Sequence, residues 1–371
     1  MSSTAHEWYR LSNEGDVLSP ALLIYRDRVE ENIGRMIRIA GDVARLRPHM
    51  KTHKMAEVIR MQVERGITRF KCATIAEAEM TAAAGAQDVL LAYQPVGPNV
   101  DRFVELVSRF PSVRLSCTAD NPSSVRALSE AAARSSTHFE VLLDLDVGQH
   151  RTGIAPNSQA LDLYRLIAAL PALAPGGLHA YDGHLHDPDL AERTVACESA
   201  FAPVEALRRK LEGAGLSVPR VVAGGTPTFP MHARRGVECS PGTCVLWDAG
   251  YGKTLPDLDF LPAALVLTRV VSKPTPDRLC LDLGHKAIGS EMPHPRVVFL
   301  NLSNAHVAAH NEEHLVLQTT EAGAFKHGDC LYGIPWHICP TVAWHGEAVV
   351  VEGAAATQRW KVAARERKLT I

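Results

Sequence analysis

Five basic side chains crowd into eight positions in Arg47-Pro48-His49-Met50-Lys51-Thr52-His53-Lys54. A lysine set among other cations in a partly desolvated pocket has its pKa lowered, which is what an amine needs to form a Schiff base. Lys51 is the candidate amine and His53 a neighbouring acid–base group; a solvated basic loop ahead of a helix is the alternative for this segment alone. Two glycine turns, Ala223-Gly224-Gly225-Thr226 and Ser240-Pro241-Gly242-Thr243, are of the kind whose backbone N–H groups cradle phosphate, although glycine in such a place is often only a turn. Taken with Lys51, they suggest a phosphorylated cofactor anchored at one end and covalently held at the other.

Three further groups fit around such a ligand. Arg151, in Asp146-Val147-Gly148-Gln149-His150-Arg151-Thr152-Gly153, offers a guanidinium to a cofactor ring or a substrate carboxylate, or to a local ion pair. Tyr181 and His184, in His179-Ala180-Tyr181-Asp182-Gly183-His184, offer a ring to pack on the cofactor and a second imidazole to move a proton. In Pro335-Trp336-His337-Ile338-Cys339-Pro340-Thr341, an extended strand would point His337 and Cys339 the same way. Imidazole plus thiolate favours Zn²⁺ over hard cations, while an isolated His-x-Cys pair is more often structural.

These residues need elements to bring them together. Apolar β-rich runs alternate with helical periods through the first two-thirds of the chain, the pattern of βα units on a parallel sheet. Strands are expected at 45–48, 69–72, 88–91, 113–117, 139–143, 176–180, 220–223 and 236–239, and eight closes a barrel. Catalytic groups of such barrels lie just past the C-terminal ends of the strands. Lys51 and His53 follow the first strand, Arg151 the fifth, Tyr181 and His184 the sixth, and the two glycine turns the seventh and eighth. After about residue 240, short β-branched runs at 264–271, 278–283, 314–318 and 348–351 predict a mostly β second domain, which the run 21–25 is expected to join. The expected architecture is a (β/α)8 TIM-type barrel over 26–240, with 1–25 and 241–371 forming the β-rich domain.

Bulk properties narrow the function. The chain has 371 residues, 46% of them hydrophobic, and a formal charge of −2, so it has the means for a real core and no basic excess for nucleic acid or an anionic membrane. Met1 to Asp16 lacks the apolar core of a signal peptide, and no run reaches the roughly 18 apolar residues that span a bilayer. Eight cysteines without a C-x-x-C pair argue for reduced thiols. A cytoplasmic enzyme of small-molecule chemistry is the expectation.

With these motifs in place, the chain resembles the D-threonine aldolase and D-serine dehydratase family of pyridoxal 5'-phosphate (PLP) enzymes, whose fold is like that of alanine racemase. The likeness runs through 47–54, 146–153, 180–183, 224–226, 240–248, 281–291, 312–314 and 337–341. It implies a PLP-binding barrel, a β-domain and a homodimer. The first lysine of Lys-x-His-Lys, here Lys51, carries PLP; the Gly-x-x-Arg arginine matches Arg151 and the barrel tyrosine Tyr181. The phosphate loops match Gly224, Gly225 and Thr226 with Gly242 and Thr243, and the metal pair, for Zn or Mn, matches His337 and Cys339.

The resemblance implies a lyase acting on small D-3-hydroxy amino acids; Lys51 and Tyr181 are expected in the catalytic set, with His53, His184 or a metal-bound water as the base for the β-hydroxyl proton. Retro-aldol cleavage of a D-threonine-like substrate to glycine and an aldehyde is the first reading. The aldolases typically carry His-x-Asp where this chain has His-x-Cys, as the dehydratases do. A D-serine or D-3-hydroxyaspartate type dehydratase, giving a keto acid and ammonia, is therefore the alternative. A racemase would need a second acid–base residue and no metal, and the non-catalytic PLP carriers lack the β-domain and the metal pair.

Overall fold

A computed structural model describes residues 7–371, which form two compact units. One comprises Gly34–Lys51, Ala56–Gly242 and Glu366–Ile371; the other comprises the chain up to Ile33, Thr52–Met55 and Thr243–Arg365. The first six residues of the expected 1–25 segment lie outside the described residues.

With strands numbered in chain order, β1 (Ala21–Tyr25) belongs to the second unit. The first unit holds β2 (Arg69–Cys72), β3 (Asp88–Leu91), β4 (Arg114–Ala119), β5 (Phe139–Leu145), β6 (Leu173–Ala180), β7 (Val221–Ala223) and β8 (Glu238–Cys239). All seven are parallel and pair in sequence order, as short βα connections require. The expected first strand appears as residues 46–49, which make parallel bridges to both edges, Leu46 to Cys239 and His49 to Lys71. The barrel is closed by these bridges: Arg47 N donates to Cys239 O at 2.8 Å, and Lys71 N to Pro48 O at 2.9 Å.

Local chemistry explains the alternation. The helices Ile75–Ala83, Pro122–Arg134, Ser158–Ala169 and Leu190–Gly213 each start on a capping side chain, Thr74, Asn121, Asn157 and Asp189, that accepts an otherwise orphaned backbone N–H. Pro122 follows its cap at a position where no backbone donor is needed. Beneath the strands, buried Arg47 lies 2.7 Å from Asp88 Oδ1 and 2.6 Å from Glu238 Oε2, so one guanidinium neutralises carboxylates of β3 and β8. The last six residues fold onto this unit, with Ile371 buried and the Thr370 and Ile371 amides on the Glu79 carboxylate. This departs from the expected β-rich assignment of 241–371.

The second unit adds β9 (Ala264–Ser272), β10 (Arg278–Leu281), β11 (Val297–Phe299), β12 (Ala305–His310), β13 (Leu315–Thr319), β14 (Cys330–Pro335), β15 (Glu347–Glu352) and β16 (Ala355–Lys361). Its sheet runs β12-β13-β10-β9-β1-β15-β16, with β14 pairing β9 and β11. Strand β1 is antiparallel to β9 and parallel to β15, so residues near the two ends of the chain share one sheet. Leu23, Leu265, Leu267, Tyr332 and Val349 form part of its core. No helix of the described residues is long and apolar enough to cross a membrane.

Candidate active site

Lys51 lies in a short 3-10 turn, Met50–Thr52, directly after the closing segment, with its backbone N–H on His49 Nδ1 at 3.3 Å. Beside it in the barrel unit is Lys71, from the end of β2, only 2% exposed. Burial, then the Lys51 charge, brings the Lys71 amine down from 10.5 to about 7. Desolvation and a neighbouring cation thus lower the pKa of Lys71, a residue with no mark in the sequence motifs.

The barrel interior around these amines is polar. His179 Nδ1 lies 2.6 Å from Asp144 Oδ1, and burial keeps the imidazole below its usual pKa, while its buried Nε2 has no partner among the described residues. Tyr181 follows β6, with the Lys71 ammonium 5.3 Å and the Arg151 guanidinium 5.1 Å from its ring centroid. Arg151 hangs on a tightly built loop: Asp146 accepts from Gly148 N and His150 N. Gly153, at φ +98°, passes so close to Asp146 N that a Cβ there would sit at 2.5 Å. His184 packs on the same loop, its Nε2 3.0 Å from where a Gly148 Cβ would lie.

The two glycine turns meet inside this unit, Gly242 N donating to Thr226 Oγ1 at 3.2 Å. Gly224 adopts φ +76°, and a Cβ there would meet His232 Cδ2 at 2.6 Å; at Gly225 it would meet Tyr181 Cε2 at 3.1 Å. Gly225 N is held by Thr228 Oγ1 at 3.3 Å. Thr228 in turn donates to Asp182 Oδ1 at 2.8 Å, and His232 Nε2 lies 2.8 Å from Asp182 Oδ2. Asp182 thereby bolts the tyrosine loop to the first glycine turn. With Cys197, 3.5 Å from His232 Nε2, these side chains have metal-ligand chemistry, but each contact is already a hydrogen bond, and burial pushes the Cys197 thiol up to about 12.

In the second unit, His337 and Cys339 are not on a strand. Strand β14 stops at Pro335, His337 caps the helix Ile338–Trp344, and Cys339 enters its first turn. The side chains still meet through a hydrogen bond. Burial lowers the His337 pKa, but the Cys339 bond and the Glu291 carboxylate on Nδ1 outweigh it and raise the group to about 9. Thr52 Oγ1 lies 3.3 Å and Thr243 Oγ1 3.9 Å from Cys339 Sγ. Asp248, buried and raised to about 6 by that burial, accepts from Tyr251 N and Ile338 N and so fixes the start of this helix. His53 is fully buried, accepts from Met55 N at 3.1 Å, and is lowered to about 3 by burial and the Lys54 charge. Burial thus opposes proton uptake on this imidazole, whose Nε2 has no partner among the described residues.

A family model described as "Alanine racemase, N-terminal domain" matches residues 24–248, and one described as "Putative serine dehydratase domain" matches residues 263–351. A D-threonine aldolase of Arthrobacter sp. is 30% identical over 354 residues, covering 94% of this chain and 92% of that one. The chain belongs to this family of PLP-dependent lyases. The crystal structure of a D-threonine aldolase from Filomicrobium marinum superposes with a TM-score of 0.87 at 27% identity, over 95% of this chain and 96% of that one. A D-threo-3-hydroxyaspartate dehydratase from Delftia sp. gives 0.78 at 25% identity, over 93% and 97%.

Within this lyase family PLP is the cofactor, and the barrel has the unmet polar demand that such a group answers. A buried ammonium on Lys71, an unpartnered His179 Nε2 and an unpartnered Ser240 Oγ lie in one unit with Lys51 and the glycine turns, and buried polar atoms seldom stay unsatisfied. The barrel unit thus holds Lys51, Arg151, Tyr181, His184, Gly224, Gly225, Thr226 and Gly242, whereas His53, Thr243, His337 and Cys339 belong to the other unit.

Proposed function

We propose that this lyase cleaves D-3-hydroxy amino acids of the D-threonine type by a retro-aldol reaction, giving glycine and an aldehyde. The observation that carries the reading is the end-to-end likeness to D-threonine aldolases in sequence and in fold. Lys51 would hold PLP, with Gly224, Gly225, Thr226, Gly242 and Thr243 taking its phosphate. The bound cofactor supplies an electron sink at the substrate α-carbon.

The chain's own residues supply recognition and proton handling. Tyr181 would pack along the cofactor ring, and Arg151, exposed on its hydrogen-bonded loop, would take a carboxylate, which a guanidinium binds in a two-point geometry. His53 and His184 are the two imidazoles that would take the β-hydroxyl proton. His337 and Cys339 would hold a divalent ion that lends Lewis acidity toward the β-hydroxyl. Glu291 on His337 Nδ1 supports this, since a carboxylate there directs Nε2 to a metal, and the thiol favours Zn²⁺ over Mn²⁺. Cys339→Ala is expected to lower metal content and activity together while PLP content stays unchanged; a variant unaltered in both makes the thiol a bystander.

Cys339 also favours a second reading, a dehydratase that converts D-serine or D-3-hydroxyaspartate to a keto acid and ammonia. Incubation with D-threonine and with D-serine separates the two. Glycine with aldehyde supports the aldolase, and keto acid with ammonia as the sole products overturns it. A cytoplasmic homodimer is part of this proposal; eight free thiols support a reducing compartment, and light scattering of the purified holoenzyme tests the dimer.

A further inference from the structure

Lys71 has no assigned role, and its setting is unusual. A lysine is rarely buried without a partner, because an ammonium removed from water costs several kcal/mol unless it is paired. Yet Lys71 is 2% exposed, and its Nζ makes no hydrogen bond or ion pair among the described residues; its close neighbour is the Tyr181 ring. The charged groups that act on it are Lys51 and Arg47, which repel, and Asp182 and Asp144, which attract. Neither acid makes a hydrogen bond or ion pair with it. Asp182 is committed to Thr228 and His232, and Asp144 to His179.

The order of segments around the barrel indicates what would pair with it. Passing around the rim, β7 and β8 carry the glycine turns, residues 46–49 lead into Lys51, and β2 carries Lys71. On the PLP ring, the carbon that bonds a lysine is flanked on one side by the arm bearing the phosphate and on the other by the phenolic 3-oxygen. With the phosphate on the β7 and β8 side of Lys51, the oxygen faces the β2 side. We propose that Lys71 is a second cofactor-binding lysine, whose ammonium holds the 3-oxyanion of PLP bound at Lys51. The inference rests on the PLP reading given above. It explains why an amine without a protein partner lies within range of Lys51: the anion arrives with the cofactor. It also makes Lys71 a stabiliser of the charge-separated form of the bound cofactor, in which the 3-oxygen is anionic.

The test compares wild type, Lys71→Met and Lys71→Arg, each prepared without cofactor and titrated with PLP and with its 3-deoxy analogue. Lys71→Met is expected to weaken PLP binding roughly tenfold or more, the scale of a charge-assisted hydrogen bond, and to move absorbance from the near-visible to the near-ultraviolet band. Lys71→Arg retains the near-visible band. With the 3-deoxy analogue the wild type and Lys71→Met should bind alike, because the oxygen that distinguishes them is gone. An equal loss for both cofactors, or a Lys71→Met spectrum identical to wild type, overturns the proposal. Failure of folding is separately visible, since apoprotein melting should not fall in Lys71→Met. A wild type that forms no borohydride-reducible adduct with PLP refutes the underlying cofactor reading instead.

Discussion

Replacing Asp182 with Leu removes one carboxylate that accepts from two buried donors, Thr228 Oγ1 and His232 Nε2, each at 2.8 Å. A buried donor stripped of its partner costs about 1–3 kcal/mol, so the pair should cost about 2–6 kcal/mol of unfolding free energy. That is a large part of the roughly 5–15 kcal/mol that stabilises a typical domain. Asp182→Asn should behave differently. Its amide oxygen keeps the Thr228 bond, and its NH₂ group faces His232 Nε2, which becomes an acceptor if the imidazole proton moves to Nδ1. Nδ1 then carries its proton with no acceptor beside it, one buried unpaired donor instead of two, so the exchange should cost about 1–3 kcal/mol, half the loss expected for Leu. Urea unfolding of the cofactor-free variants reads both numbers, and PLP titration reads the consequence for the glycine turn that Thr228 supports. An Asn variant as damaging as Leu, together with stoichiometric metal in the wild type, would refute the hydrogen-bonded account and make Asp182, Cys197 and His232 metal ligands.

Gly224→Ala should weaken PLP binding by forcing a side chain into left-handed backbone and against His232, at a cost of about 1–2 kcal/mol; unchanged affinity in a cofactor titration would remove the turn from the phosphate site. Arg47→Met removes the buried partner of Asp88 and Glu238, leaving them Arg114 at 3.9 Å and Arg69 at 3.1 Å, and should cost about 3 kcal/mol in chemical denaturation; a near-neutral result would mean that those two arginines and water replace it. Lys71 titrates at about 7 when folded against an ordinary 10.5, so between those values the unfolded chain holds a proton that the folded chain lacks. Stability of the cofactor-free protein should therefore rise with pH through that window and level off beneath it. Lys71→Met should flatten the slope, and equal slopes in urea midpoints would contradict the assignment.

The barrel was legible in the sequence because each βα unit repeats a buried run, a capping residue and a helical period; the expected strands at 69–72 and 88–91 coincide with β2 and β3. The first strand was harder to place, being held by two bridges to β8 and β2 rather than by a continuous ladder. Strands β12 and β16 escaped notice for a different reason: their side chains are largely part-buried or exposed, so the alternation that marks a half-buried strand is blurred. His337 and Cys339 were expected together on a strand and meet instead across a helix cap, a geometry that spacing alone does not distinguish. Asp182, Cys197 and His232 are brought together by folding across 50 positions, and no local signal joins them. Lys71 was detectable in principle. A charged residue in the last positions of a barrel strand obeys the same rule that picked out Tyr181 and the glycine turns, but within Arg69-Phe70-Lys71-Cys72 it reads as ordinary strand alternation.

Borohydride reduction of the PLP-loaded protein, followed by peptide mapping, identifies the lysine that carries the cofactor. Loss of the near-visible absorbance and one phosphopyridoxyl group on Lys51, with Lys71 unmodified, is the expected outcome. A label on Lys71, or no covalent label on any lysine, would contradict it.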